Sequence, residues 1–333
     1  MTPDRAPDPT QPTVLVVGAA SRDIATEDPR GWRLGGAVSY GSLTLARFGL
    51  HVRAFIGVDA EAARAQELDV LRDAGVDVEL ARLARGPVFE NIEAPDGRRQ
   101  RCLSVADPIL VSALPDAWRR SDAVFLGPVA GELGDGWASI TAPHVVLGWQ
   151  GLLRRVRAGV DVARLPPAAN SLLAAASLVG ASREDFAPGT TPESLRRLVA
   201  PSATLVLTDG AAGGLVLDRG SEDRDDPPGQ PYPAIPSDGV IDATGAGDVF
   251  LAAMLAARLQ PALVPSTGAS NSDDLAGAVR LAAAAASLAV EAPGVFGVPT
   301  LAAALRRATH APRRASRRPS ATSSRGSGRP SQA

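Results

Sequence analysis

Lysine is absent from the chain: all 34 basic residues are arginine. That excludes Schiff-base chemistry, a Walker-type phosphate loop and the strand lysine of protein kinases, because each needs a Lys ammonium. A single cysteine, Cys102, excludes an internal disulfide and a Cys-rich zinc site. Three histidines, none in H-x-x-H spacing, argue against a His-built metal centre. No window reaches the roughly 18 uninterrupted apolar residues of a membrane span, and the Ala-rich stretch 281–290 is too short. Residues 1–12 are Pro- and Asp-rich without an apolar run, so no secretory signal is expected. The expected compartment is the cytoplasm, with no membrane partner.

What is present suits a globular protein. Hydrophobic residues make up 45% of the 333, charged residues 21%, and the net charge is −2. That balance is a sum of unlike parts. Residues 309–333 hold six Arg, six Ser and no acid, and the remainder stands at −8, with 28 Arg against 36 acidic residues. Residues 1–12 and 309–333 are expected to be disordered ends of a domain spanning 13–308. Nothing in the body supports a nucleic-acid partner.

Between the ends, short apolar runs alternate with helical patterns. Strands are expected at 14–17, 52–56, 124–126, 145–147, 173–179 and 205–207. Helices are expected at 36–48, 60–73, 247–259 and 275–290. This rhythm indicates an α/β fold with a mostly parallel sheet. Residues 24–34 and 83–103 break it. Both read as exposed β-structure, the second around the turn Ala94-Pro95-Asp96-Gly97, and together they would form a small lid.

The segment Asp242-Ala243-Thr244-Gly245-Ala246-Gly247-Asp248 runs into an apolar helix. Small residues let a ligand approach the backbone, and the first N–H groups of the helix have no internal partner. With the helix dipole they make an anion site. A carboxylate beside a bound phosphate is repulsive unless it takes a proton from a nucleophile. Asp248 therefore reads as a general base beside a transferring phosphoryl group.

This segment resembles the D-x-x-G-A-G-D signature of the ribokinase-like, PfkB-type carbohydrate kinases. Leu34-Gly35-Gly36-Ala37-Val38-Ser39-Tyr40-Gly41, followed by Leu45-Ala46-Arg47-Phe48-Gly49, resembles their N-terminal G-G…A-x-x-L-G signature. The resemblance covers about residues 13–308. It implies a three-layer α/β/α fold with a mostly parallel sheet and a small β lid. It implies transfer of the γ-phosphoryl of ATP to a hydroxyl of a sugar or polyol, with Asp248 as base and Gly245, Ala246 and Gly247 as the anion hole. Asp23 matches the residue that binds substrate hydroxyls, beside Gly35 and Gly36. Tyr40 stands where many members carry Asn, and Asn91 lies on the lid hairpin within reach of substrate. Thr208, Gly210 and Gly213 match the nucleotide turn. Ser182-Arg183-Glu184-Asp185 takes the place of N-x-x-E, making Asp185, with Glu184 as rival, the acid that holds Mg²⁺ through water. Asp242 and the Thr244 carbonyl match positions that hold K⁺ in some members. A nucleoside kinase is the first alternative, because Tyr40 could stack on a base. A catalytically weak binding or regulatory member is the second. Exposed lid edges would suit a homodimer.

Overall fold

The computed structural model describes residues 11–94, 97–218, 229–264 and 271–310. The first apolar run becomes β1 (Thr13–Ala19). Val14 and Val16 enter one apolar core, Leu15 and Val17 another. A strand buried on both faces belongs inside a parallel sheet covered on both sides. β1 pairs in parallel with β4 (His51–Val58) on one flank and β8 (Ala123–Leu126) on the other. The sheet extends from β4 to β5 (Asp77–Arg82). From β8 it extends through β9 (His144–Gly148) and β13 (Leu178–Ser182) to β14 (Thr204–Thr208), all parallel. β15 (Gly214–Leu217) and β16 (Gln230–Tyr232) complete that edge in antiparallel order. The chain thus builds outward from β1 in both directions. The reversal opens a crevice at the carboxyl ends of the strands, the usual ligand position in such sheets.

One face is covered by α1 (Ala37–Arg47), α2 (Glu67–Asp73), α5 (Ala246–Leu259), α6 (Asn271–Ala289) and α7 (Leu301–His310). The other carries α3 (Ser171–Ala175), α4 (Pro192–Arg196) and short 3₁₀ turns around Trp137 and Trp149. Each fully buried Leu, Ile, Val or Phe contributes about 1.5–3 kcal/mol, so these two cores hold the sheet. α5 packs between α1 and α6, which fixes its N-terminus over the crevice. Glu132, 1% exposed, accepts N–H bonds from Ala19, Val129 and Ala130 at 3.0, 3.1 and 2.8 Å. It ties the end of β1 to the loop after β8 and so sets the crevice floor.

The second sheet is the expected lid. It runs β11 (Val160–Asp161), β7 (Gly97–Ser104), β6 (Val88–Ala94), β2 (Arg22–Ile24), β3 (Trp32–Leu34). Two insertions were expected; β11 adds a third, from a segment that also forms the small pair β10 (Arg154–Arg155) and β12 (Ala163–Arg164). Pro95 and Asp96 of the expected hairpin turn lie outside the described residues, but Ala94 faces Gly97 across β6 and β7. Ion pairs root the lid. Arg22 donates to Asp59 at 2.8 Å, and the buried Glu67 accepts from Arg30 at 2.7 Å and from the Leu34 N–H at 3.1 Å.

Three expectations shift. The helix expected over 60–73 is split, because Asp59 accepts from the N–H groups of Glu61 and Ala62 to start a 3₁₀ turn at Ala62–Arg64, and Ala65 is extended before α2. The strand expected from 173 begins only at Leu178; Asn170 caps α3 through the Leu173 N–H at 3.0 Å and makes 171–175 helical. Thr309 and His310, expected in the end segment, belong to α7. Residues 1–10 and 311–333 lie outside the described residues.

Candidate active site

A cleft of about 2190 Å³ opens over the crevice. Asp23, Gly36, Tyr40, Asn91, Glu184, Asp185, Thr208, Gly210, Gly213, Thr244, Gly245, Ala246, Gly247 and Asp248 all line it. Residues from both halves of the chain, as far apart as Asp23 and Asp248, therefore meet at one place. Gly35 and Asp242 lie behind the lining, where they support it.

On the lid side, Asp23 sits on β2 opposite Arg33 of β3. Gly35 lies directly behind it: a Cβ there would stand 2.2 Å from Asp23 Oδ2. Gly36 has φ +89, and a Cβ on it would stand 2.5 Å from the Ala19 carbonyl. Only glycine turns the chain from β3 into α1 at this spacing. Asn91 Oδ1 accepts from the Gln100 amide at 3.0 Å, which fixes its flip and leaves its NH₂ as a donor.

Tyr40 lines the cleft and carries the glycine loop on its ring. Its residue is 2% exposed, and a Cβ on Gly245 would stand 2.4 Å from its ring. The anion loop rests on the ring face, so that face cannot stack on a base. Burial, then the negative charges of Asp23, Asp242 and Asp248, push its phenol well above its ordinary range.

The loop itself is held by Asp242. Its Oδ1 accepts from the Thr244 N–H at 2.9 Å and its Oδ2 from the Gly294 N–H at 3.0 Å. Gly245 is left-handed, φ +79, and turns the chain into α5. A Cβ on Gly247 would meet open space, so this glycine keeps the backbone accessible to a ligand. Asp248, in the first turn of α5, is half-buried. Burial pushes its carboxyl up from 3.8 to about 7; Arg154 pulls it down and Asp185 pushes it up. A carboxyl near 7 exchanges protons at neutral pH, as a general base must.

At the end of β14, Gly210 and Gly213 have φ +48 and +96 in a turn closed by the Asp209 N–H to the Gly213 carbonyl at 2.7 Å. Tyr232 stacks on Phe250 at 5.5 Å beside that turn. Asp185 is buried, and its carboxylate accepts from Ser182 N–H at 2.9 Å and from Gln150 Nε2 at 3.0 Å. These bonds hold it rigid and leave lone pairs for water, which suits outer-sphere Mg²⁺ binding. Glu184 is exposed at the cleft margin. Among the described residues no three acids, His or Cys cluster as a metal cage. The K⁺ position fits less well. Both Asp242 oxygens already accept N–H bonds, and the Arg33 guanidinium stands 3.9 Å from Oδ2.

Residues 149–154 follow a strand and were expected only to border the cleft; Arg154 lines it and feels the charges of Asp185, Asp23, Asp248 and Glu184.

Residues 161–301 match the pattern of the pfkB family carbohydrate kinases. No curated protein sequence matches the chain. Among solved structures, a pyrophosphate-dependent kinase of the ribokinase family, complexed with a pyrophosphate analogue and myo-inositol, is similar at 21% identity and TM-score 0.67, covering 88% of this chain and 99% of its own. The nucleoside kinase of Methanocaldococcus jannaschii is 16% identical, TM-score 0.60, covering 90% and 98%. Arabidopsis thaliana ribokinase, complexed with ribose and ATP, is 18% identical, TM-score 0.59, covering 90% and 99%. At these identities the structures speak for the fold. No helix among the described residues is long and apolar enough to cross a membrane. Residues 161–301 thus carry the pattern of the pfkB family carbohydrate kinases, within a fold similar to those of ribokinase-family structures.

Proposed function

We propose that the chain is a kinase that transfers the γ-phosphoryl group of ATP to a hydroxyl of a small sugar or polyol. The observation that carries this is Asp248: a carboxyl poised near pH 7, beside exposed backbone N–H groups, in a cleft whose far wall holds Asp23. Asp23 and Asn91 would bind the acceptor hydroxyls. Asp248 would take the proton of the reacting hydroxyl, and the N–H groups at Gly245 to Gly247 would stabilise the developing charge. Asp185 would hold Mg²⁺ through water; the ion would shield phosphate charge. Lid closure would exclude water.

The cleft continues past the loop along α6, reaching Arg280 and Ser287, which suits a donor as large as ATP. The similarity to an inositol-bound kinase supports a cyclic polyol as acceptor. The nucleoside alternative loses its motive, because Gly245 covers the Tyr40 ring. The test is an ADP-release screen of the purified protein over sugars, inositols, other polyols and nucleosides, with ATP and pyrophosphate as donors. ADP release with a polyol or sugar is the expected result. Stimulation by nucleosides alone would move the reading to the first alternative. ATP binding without stimulation by any acceptor would move it to the second.

A further inference from the structure

On the underside of the lid, β6 and β7 present alternate residues to the cleft. Phe89 and Asn91 share one face of β6, and Phe89 stands beside Asp23 of β2. Gln100 faces Asn91 across the β6–β7 pairing and lines the same cleft. Its Nε2 donates to Asn91 Oδ1 at 3.0 Å. Its Oε1 is shut off from water and accepts no hydrogen bond among the described residues. An oxygen so placed carries the full cost of its lost hydration unless a donor completes it. The terminal torsion of a Gln is soft, so the amide can turn toward a ligand in the cleft without movement of the backbone.

Two amides joined by one bond leave one free C=O and one free NH₂. The bond fixes the amides relative to each other, and turning both over together leaves the same two groups. The pair therefore offers an acceptor and a donor side by side, without charge. A hydroxyl both donates and accepts, so two neighbouring hydroxyls of one molecule satisfy it. A carboxylate or phosphate only accepts, and would set its charge against the free C=O. Asp23 lies one strand over and two residues along from Asn91, about 8 Å away by strand geometry. A polyol ring with one edge at Asp23 therefore brings its opposite edge to the amides. A nucleobase edge also carries a donor beside an acceptor, but bases are held largely by stacking. Phe89 and Tyr40, the aromatic residues on this side of the cleft, are each 2% exposed and offer no open face.

We propose that Gln100 is a specificity residue of the acceptor site. With Asn91 it binds two adjacent hydroxyls of a neutral cyclic polyol, its Oε1 accepting from one and the Asn91 amide donating to the other. The assignment rests on the kinase reading above and narrows its acceptor to a vicinal diol. Gln100 takes no part in the chemical step.

The test compares Gln100→Leu and Gln100→Glu with the parent protein. Calorimetry measures binding of a panel of inositols and cyclic sugars, of monodeoxy analogues of those that bind, and of adenosine, with ADP release from ATP beside it. The parent is expected to bind a cyclic polyol and to discriminate about tenfold against its monodeoxy forms at two adjacent positions. In Gln100→Leu, affinity for that polyol should fall about tenfold and the preference at one of the two positions should vanish. There kcat should stay within about threefold, since only acceptor binding is lost. Gln100→Glu keeps an acceptor oxygen and should restore that preference. ATP affinity should be unchanged in both variants. Equal losses for the polyol and all its deoxy analogues, a tighter hold on adenosine than on any polyol, or a parent that binds no polyol or sugar would overturn the assignment. Polyol binding that depends on Gln100 but leads to no ADP release sinks the kinase reading and leaves the assignment standing. ADP release with a polyol that Gln100→Leu binds as well as the parent does the reverse.

Discussion

Asp248→Asn should destroy activity and stabilise the fold, and the second effect carries its own pH signature. The carboxyl is raised from 3.8 to about 7 by burial, lowered by Arg154 and raised by Asp185. Between about pH 4 and 7 the folded protein holds a proton that the unfolded chain has released. Its stability therefore falls as pH rises through this window, and the penalty is complete above about 7. Three units correspond to about 4 kcal/mol as an upper bound. The side chain is only half-buried, so solvent screening leaves about 1–2 kcal/mol. Asparagine has the same shape and no charge at any pH. At about 2–4 °C per kcal/mol for a domain of this size, the variant should melt about 2–8 °C above the parent at pH 8, with the gap closing near pH 4. Turnover should meanwhile drop by on the order of 10²–10⁴, the worth of a general base. In the parent, kcat/KM should rise with pH through about 7. Scanning calorimetry of the ligand-free proteins from pH 4 to 9, with steady-state ADP release beside it, measures all three. Turnover within tenfold of the parent would refute the base assignment, and a variant that melts lower at pH 8 would refute burial as the cause of the shift.

Gly35→Ala places a Cβ 2.2 Å from Asp23 Oδ2 and 2.8 Å from Ser21 Oγ, so Asp23 must move; acceptor KM should rise at least tenfold with ATP affinity unchanged, by steady-state kinetics and calorimetry. Glu67→Ala removes one of the two carboxylates of Arg30, which keeps Asp28, and frees the Leu34 N–H. It should lower stability by about 1–3 kcal/mol in denaturant titration and raise acceptor KM more than ATP KM, because it loosens only the lid root. Replacing K⁺ by Na⁺ should change turnover less than twofold, since Arg33 already places a positive charge 3.9 Å from Asp242; a tenfold stimulation by K⁺ would contradict this. In Arg33→Ala, added K⁺ should raise both turnover and melting temperature.

The core of the fold could be read from apolar runs. β1, β8, β9 and β14 are short runs that admit only a strand buried on both faces, and α1 and α5 follow small residues that start helices. The errors arose where side-chain capping decides the backbone. Asp59 breaks a helix that periodicity had left whole, and Asn170 makes a helix of residues that composition favoured as strand. In the site, the glycine loop was legible because its backbone chemistry is local. That Tyr40 carries Gly245 on its ring was not legible, because only the folded chain brings the two together. Arg154 was legible only as the end of a segment after a strand; the carboxylates that act on it lie up to 131 positions away, Asp23 on one side and Asp248 on the other.

The sheet grows outward from β1 in two directions, and the cleft sits over that divide. Asp23, Gly36, Tyr40 and Asn91 come from the first hundred residues, and Thr208, Gly213, Gly245 and Asp248 come from beyond residue 200. The family pattern is matched only across 161–301. On the proposed reading, acceptor choice and phosphoryl transfer would therefore lie on separate stretches of chain. Substitutions in the lid-bearing N-terminal stretch would then change acceptor specificity while the donor-side residues stay untouched.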